Sequence, residues 1–382
     1  MAQLIHGLSA RHDVAAVYLR SDTEAPIDER LGAALSRVEE VRHPHRLSMA
    51  ERLRRHTATV RGVPAWAAFA DVAEFARRTA DVARDWRPEI VHFEYHVMGQ
   101  YARAIPDRAA RRILSEYEAG VLAAREHMAT DRDGRTLGPA LQRRAWEQFE
   151  RRVIADMDAV VVFSERDQAA LAPVAGTTPI VRIGIGTRLP SAPLDPLGSR
   201  DRPQVLFVGN FMHPPNVDAA ERLVSHIFPL VKRQVASAQL RIVGPNPPSA
   251  LVASAQDGIE ITGEVPDIVP WMSDASLIVV PLRLGAGMRV KVLEALAYGK
   301  AVVASPRAIE GLTVTDGVHL SIAETDAEFA ARIVALLASP DERAALARSA
   351  RDWACANLGE RRWMDEYDAL YDSLSAEPRA PQ

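Results

Sequence analysis

Residues 277–306 read LIVVPLRLGAGMRVKVLEALAYGKAVVASP, and this stretch decides the fold. The apolar run 277–280 reads as a buried strand. Pro281 stops it, and a loop carrying Gly285 and Gly287 follows. A helix is expected over 290–298, closed by Gly299, before a second buried strand over 301–304. The cations Arg289 and Lys291 stand where loop becomes helix, and Glu294 sits one turn in. Glycines let a ligand approach the backbone, and the first N–H groups of a helix attract anions. Cations there suit a diphosphate. A carboxylate one turn along suits a pair of vicinal hydroxyls, such as those of a ribose. Together these features lay out a pocket for a nucleotide sugar.

Working outward, strands and helices keep alternating. Downstream of residue 204 the pattern gives strands at 205–209, 239–243 and 259–263, and helices at 217–233 and 267–273. Helices at 326–338, 341–356 and 360–374 close the chain. Upstream it gives a helix over 2–12, a strand over 14–19 and a helix over 65–86. Short strands follow near 88–94, 111–115 and 159–163, with a helix over 138–156 between the last two. Ser164 is placed to cap a further helix. Alternation of this kind argues for parallel, doubly wound sheets. Residues 187–203 hold four prolines, one glycine and no apolar period, and read as an interdomain linker. The expected organisation is a first Rossmann-like domain over 1–190, this linker, and a second domain over 204–358. A closing helix and tail over 359–382 would return to the first domain.

With 382 residues, 48% apolar and 25% charged, the composition is that of a globular protein with room for two cores. A net charge of −4 gives no reason to expect nucleic acid. The lone Cys355 excludes an intramolecular disulfide framework and a cysteine-based zinc site. No run of 18 apolar residues spans a membrane. The first residues lack a signal-peptide pattern, so the expected location is cytoplasmic. Residues 42–62 hold six arginines, three histidines and one glutamate. A solvated basic face explains such a stretch, and so does peripheral contact with anionic lipid at the inner face of the cell membrane.

The segment 205–312 resembles the donor-binding domain of retaining glycosyltransferases of family 4 (group 1), which have the GT-B fold. The resemblance runs through VLFVGNFMHPPNVDA (205–219), LRIVGPNPP (240–248), ITGEVPDIVPWMSDASLIVVPLRLGAGMRVKVLEALAYGKAVVAS (261–305) and EGL (310–312). In the first half it is looser, through IVHFEYHVMGQYA (90–102), LSEYEAG (114–120) and DAVVVFSERDQAAL (158–171). It implies two Rossmann-like domains facing a crevice, with the acceptor on the first and a nucleoside-diphosphate sugar on the second. Glu294 matches the second glutamate of the family's E-x(7)-E motif, which binds the donor ribose. Arg289 and Lys291 would neutralise the diphosphate. Gly209 would let the phosphates approach, with Asn210 and His213 in the same loop. Gly244 and Val265 would lie near the base, and Gly285, Gly287 and Met288 would line the glycine-rich loop.

The chain departs from the family at four places. Ala286 stands where the first glutamate of E-x(7)-E falls, as in the subgroup with G-x-G-x-R-x-K-x-L-E-A. Asn210 and Asn216 stand in a loop where many members carry an Arg and a Lys. Tyr117 stands where a histidine is expected near the reacting sugar. The first strand and glycine loop that normally precede the first helix are missing from these residues, so the first domain is expected either to start upstream of Met1 or to be compromised.

Glu94 and His96 lie at the end of a strand, where α/β folds bind ligands. His96 and Glu116 are the first-domain candidates for catalysis beside Arg289 and Lys291. The expected reaction is sugar transfer to an acceptor hydroxyl with retention at the anomeric carbon. The acceptor, whether glycan, lipid-linked or small molecule, stays open. Cations and the helix N-terminus would stabilise the leaving diphosphate, with no metal and no resident cofactor. Two alternatives stand beside it. A degenerate GT-B protein serving as partner or sensor would bind the donor without turnover. A nicotinamide oxidoreductase would need a third glycine where Val290 stands. Trp353, Trp363, Tyr367 and Tyr371 fall at helical spacings and read as packing anchors.

Overall fold

The computed structural model describes the chain except Met1, Thr23, 45–48, 106–109, Glu118, Val121, 123–137, Ile185, Arg188, 200–201, 286–289 and 377–382. It divides into two compact units, residues 1–185 with 361–382 and residues 186–285 with 289–360. Both are α/β with parallel sheets, as the alternation predicts.

In the first unit β1 (Ala15–Arg20) and β2 (Arg37–Arg42) form a parallel pair. A separate parallel sheet holds β3 (Ile90–Glu94), β4 (Arg111–Glu116), β5 (Ala159–Val162) and β6 (Ile180–Arg182), in that order. Among the described residues no strand joins β1 to β3, so each has ladder bonds on one side only. Successive side chains of a strand face opposite ways. In β5, Val160 and Val162 enter one core while Ala159 and Val161 enter the other. A strand covered on both faces must be apolar throughout, hence the unbroken run AVVV. Phe75, Phe149, Val153 and Leu171 come from the helices on one face. Helices Ala2–Ser9 and Glu360–Ala376 supply Leu4, Leu8, Trp363, Met364 and Tyr367 on the other. Gly7 permits the contact between them, since a Cβ there would stand 2.5 Å from the Met364 sulfur.

Several boundaries differ from the sequence expectation, each for a local reason. The helix expected over 65–86 is two helices, Ala65–Ala70 and Ala73–Trp86. The Tyr101 hydroxyl fills the break, donating to the Ala70 carbonyl and accepting the Val72 N–H at 2.8 Å. The helix expected over 2–12 ends at Ser9. The helix expected over 217–233 begins at Pro214 and is interrupted by a π turn, Leu223–Ile227. Strand β2 escapes the pattern because its residues RVEEVR are mostly charged. Its glutamates are paired instead, Glu39 with Arg37 at 2.9 Å and Glu40 with Arg20 at 2.8 Å.

The second unit has one six-stranded parallel sheet built from β7 (Gln204–Val208), β8 (Gln239–Val243), β9 (Ile259–Gly263), β10 (Leu277–Val280), β11 (Val302–Ala304) and β12 (Ser321–Ile322). The spatial order is β12-β11-β10-β7-β8-β9. The chain therefore winds outward from β7 to β9, returns beside β7 as β10, and winds out the other way. That reversal opens a crevice at the carboxyl ends of β7 and β10, the place where open α/β sheets bind ligands. The described residues of 187–203 form no helix or strand and lie within this unit.

Candidate functional site

The loop after β7 and the helix after β10, Val290–Ala297, meet at this reversal. Lys291, in the first turn of the helix, donates to Asn216 Oδ1 at 2.5 Å. Its ammonium also stands 4.9 Å from the centre of the Phe207 ring on β7. Asn216 in turn donates to the Asn210 carbonyl at 2.7 Å, and the Asn210 side chain accepts the Met212 N–H at 3.0 Å. His213 is exposed and precedes the Pro-Pro start of helix Pro214–Arg222. So Lys291, Asn210 and His213 gather on one loop cluster through Asn216, a residue the sequence marked only as a departure.

Glycines keep this cluster compact. Gly244 ends β8 at φ 145°, and a Cβ there would fall 1.9 Å from the Gly209 carbonyl oxygen. No other residue fits such an approach. The Gly209 N–H continues the ladder to the Val243 carbonyl at 3.0 Å. Gly285, at φ 104°, bends the loop after β10. Val265 is half-buried just beyond β9. All of these stand at the carboxyl edge of the sheet. Gly287, Met288 and Arg289, together with Ala286, lie outside the described residues.

Glu294 sits one turn into the helix, half-buried. Burial raises its carboxyl above the ordinary range. No side-chain hydrogen bond or ion pair engages this carboxylate among the described residues. A carboxylate held partly out of water without a protein partner is a ready acceptor for ligand hydroxyls.

Two arginines that sequence reasoning missed brace the crevice. Arg222 is buried and donates to Asp326 at 2.6 Å, to the Pro281 carbonyl at 3.0 Å and to the Glu324 carbonyl at 2.7 Å. Arg283, in the loop after β10, grips Asp218 with two bonds of 2.5 and 3.1 Å. The available signal was Arg222 itself, a charge on the apolar stripe of Ala219, Ala220 and Leu223.

In the first unit His96 and Glu116 stand at the carboxyl ends of β3 and β4 and meet, Nδ1 to Oε1, at 2.7 Å. Their side chains are 3% and 0% exposed. Trp66 and Trp146 face the imidazole edge-on at 4.9 and 4.8 Å. The pair is thus deep in the unit, with aromatic rings between it and solvent. Nearer the surface, the Tyr117 hydroxyl donates to Glu94, and Ser115 Oγ donates to the same carboxylate at 3.0 Å. Burial first, then Glu94, pushes the Tyr117 phenol far up, so it holds its proton and donates. His92 lies 2.7 Å from Ser115 Oγ and 3.2 Å from the Tyr371 hydroxyl, with its basicity lowered by burial.

Comparison with known proteins agrees with this layout. Residues 202–339 match the family profile described as glycosyl transferases group 1. A lipopolysaccharide core biosynthesis mannosyltransferase of Rhizobium leguminosarum bv. viciae is 29% identical over 243 residues, covering 60% of this chain and 68% of that protein. Among solved structures, the sucrose-phosphate synthase of Thermosynechococcus elongatus superposes with TM-score 0.74 at 19% identity, over 98% of this chain and 92% of that one. Anabaena HepE, solved with UDP and glucose, superposes with TM-score 0.67 at 14% identity, over 98% of this chain and 96% of that one. The fold is that of GT-B glycosyltransferases. Residues 202–339 are a glycosyl transferases group 1 domain, and the chain is a glycosyltransferase.

Proposed function

We propose that this glycosyltransferase takes its sugar from a nucleoside diphosphate, bound at the β7/β10 reversal, and passes it to an acceptor hydroxyl with retention at the anomeric carbon, as in family 4. The observation that carries the reading is Glu294, partly buried and without a side-chain partner among the described residues, one turn beyond Lys291. Its carboxylate would accept the ribose hydroxyls. Lys291, Arg289 and the helix N-terminus would hold the diphosphate and stabilise the charge that grows as the glycosidic bond breaks. Protein cations would do this without a metal, so activity should persist in EDTA. HepE, solved with UDP and glucose, supports a nucleotide-sugar donor. The mannosyltransferase relative makes mannose the first sugar to try.

The test is calorimetric titration with UDP, GDP, ADP and TDP, followed by product NMR with the matching sugar nucleotides. One diphosphate should bind, Glu294→Ala should weaken it, and the product should keep the donor's anomeric configuration. An inverted product would end the retaining reading. Binding without turnover across an acceptor panel would favour a degenerate partner protein.

Peripheral contact with the inner face of the membrane belongs to the same proposal. No helix among the described residues is long and apolar enough to cross a membrane. Met49 and Leu53, one turn apart, are 87% and 66% exposed, and Val60 is 79% exposed. Arg54 and Arg61 stand exposed among them, a mixture suited to an anionic surface. Co-sedimentation with phosphatidylglycerol vesicles but not phosphatidylcholine vesicles is expected, and Leu53→Glu should abolish it. Equal pelleting of the variant would leave a solvated basic face.

A further inference from the structure

At the carboxyl end of β3 the backbone takes a turn that side chains rarely adopt. Tyr95 has φ 73° and ψ 137°. Such residues persist only where their surroundings hold them, and they gather at ligand-binding sites. Here the holding is visible. The Tyr95 ring stacks on Tyr117, with centroids 4.6 Å apart and planes at 28°. Trp66 meets it edge-on at 6.3 Å and 61°. Yet Tyr95 remains 38% exposed and Trp66 47% exposed. Burying these rings against each other would have been the cheaper arrangement for stability alone.

Beside the rings is Glu94, whose side chain is 16% exposed. It is oriented by Tyr117, which donates to one carboxylate oxygen, and by Ser115, which donates to the other at 3.0 Å. His92 stands 3.3 Å from the second oxygen. A carboxylate has about four acceptor positions, so one fixed by two donors keeps capacity for ligand hydroxyls.

We propose that Trp66, Tyr95 and Glu94 form a subsite for a pyranose ring of the acceptor. The apolar C–H face of the sugar would lie against Tyr95 and Trp66, and neighbouring hydroxyls would donate to Glu94. The chemistry selects against other ligands. Glu94 repels phosphate, and a purely apolar chain would dehydrate the carboxylate without bonding to it. A ring with one apolar face and a rim of hydroxyls satisfies both parts. The inference rests on the glycosyltransferase reading and narrows its acceptor to a carbohydrate. The residues belong to the first unit, whereas Lys291 and Glu294 belong to the second.

The experiment compares wild type, Tyr95→Phe and Tyr95→Gly by saturation-transfer NMR. The probes are methyl α-mannopyranoside, methyl α-glucopyranoside and methyl β-galactopyranoside, with UDP and GDP titrated in parallel. Glycine accepts a positive φ without strain, so a defect in Tyr95→Gly reports the lost ring rather than a misfolded turn. At least one pyranoside should bind wild type and Tyr95→Phe alike. Its affinity should fall about 3- to 10-fold in Tyr95→Gly, the range of one aromatic contact. Equal binding by wild type and Tyr95→Gly overturns the subsite. So does a protein that binds a nucleoside diphosphate but none of the pyranosides. A protein that binds no nucleoside diphosphate removes the transferase reading, and the subsite with it.

Discussion

Glu294 owes its chemistry to where the helix after β10 begins. Burial disfavours its charged form and raises its pKa. A ligand that donates hydroxyl hydrogens to it favours the charged form, so donor binding and ionisation are linked. Donor affinity should therefore rise with pH through the raised pKa of Glu294 and level off above it. Glu294→Gln should bind the donor about 10- to 100-fold more weakly, the range of hydrogen bonds to a charged group. It should also lose the pH dependence, as isothermal titration at several pH values would show. A pH profile surviving in the glutamine variant would assign the titration to another group. The sequence made Glu294 and Lys291 legible because their signal is local: a helix start, a glycine loop and a spacing. It did not reveal that Lys291 bonds Asn216 and lies over Phe207. Those partners are separated from it by 75 and 84 residues of chain, and only the sheet order brings them together.

At the scale of elements, the crevice depends on how firmly the helix after β7 is tied to the loop after β10. Arg222 makes that tie with three bonds from one buried guanidinium. Arg222→Lys keeps the charge but replaces a planar fork with a point donor that cannot satisfy all three acceptors. Each buried carbonyl left unbonded costs about 1–3 kcal/mol. Both Arg222→Lys and Arg222→Ala should lower the midpoint of urea unfolding, and both should raise the donor KM more than they lower kcat. An unchanged KM in a folded Arg222→Lys protein would separate the brace from the site. Elements that form an unbroken apolar run, such as β5 and β10, are legible in sequence. The break after Ala70 is not, because a tyrosine 31 residues away satisfies the freed backbone. Strand β2 is likewise hidden, since Val41 alone of its residues is fully buried in a core and its glutamates pair with arginines.

At the scale of the whole chain, residues 187–203 are attached through bonds that composition does not show. Four prolines and no apolar period read as an interdomain linker, and groups far along the sequence fasten its backbone. Arg351 donates to the Pro190 carbonyl at 2.7 Å, Leu194 bonds the Tyr298 carbonyl at 2.8 Å, and Lys300 donates to the Asp195 carbonyl at 2.6 Å. Lys300 is 0% exposed, and burial, reinforced by Arg343, lowers its pKa to about 8 against the pull of Asp195 and Asp274. Between about pH 8 and the usual lysine value the unfolded chain binds the extra proton and the folded chain does not. Stability from this group therefore rises with pH across that window, by on the order of 3 kcal/mol if fully expressed. Lys300→Met removes the titration. Urea unfolding at pH 7.5 and at about pH 10 should show the wild type gaining stability relative to the variant as pH increases. A constant difference between the two proteins would mean that Lys300 titrates alike in both states and that the clasp is open to water.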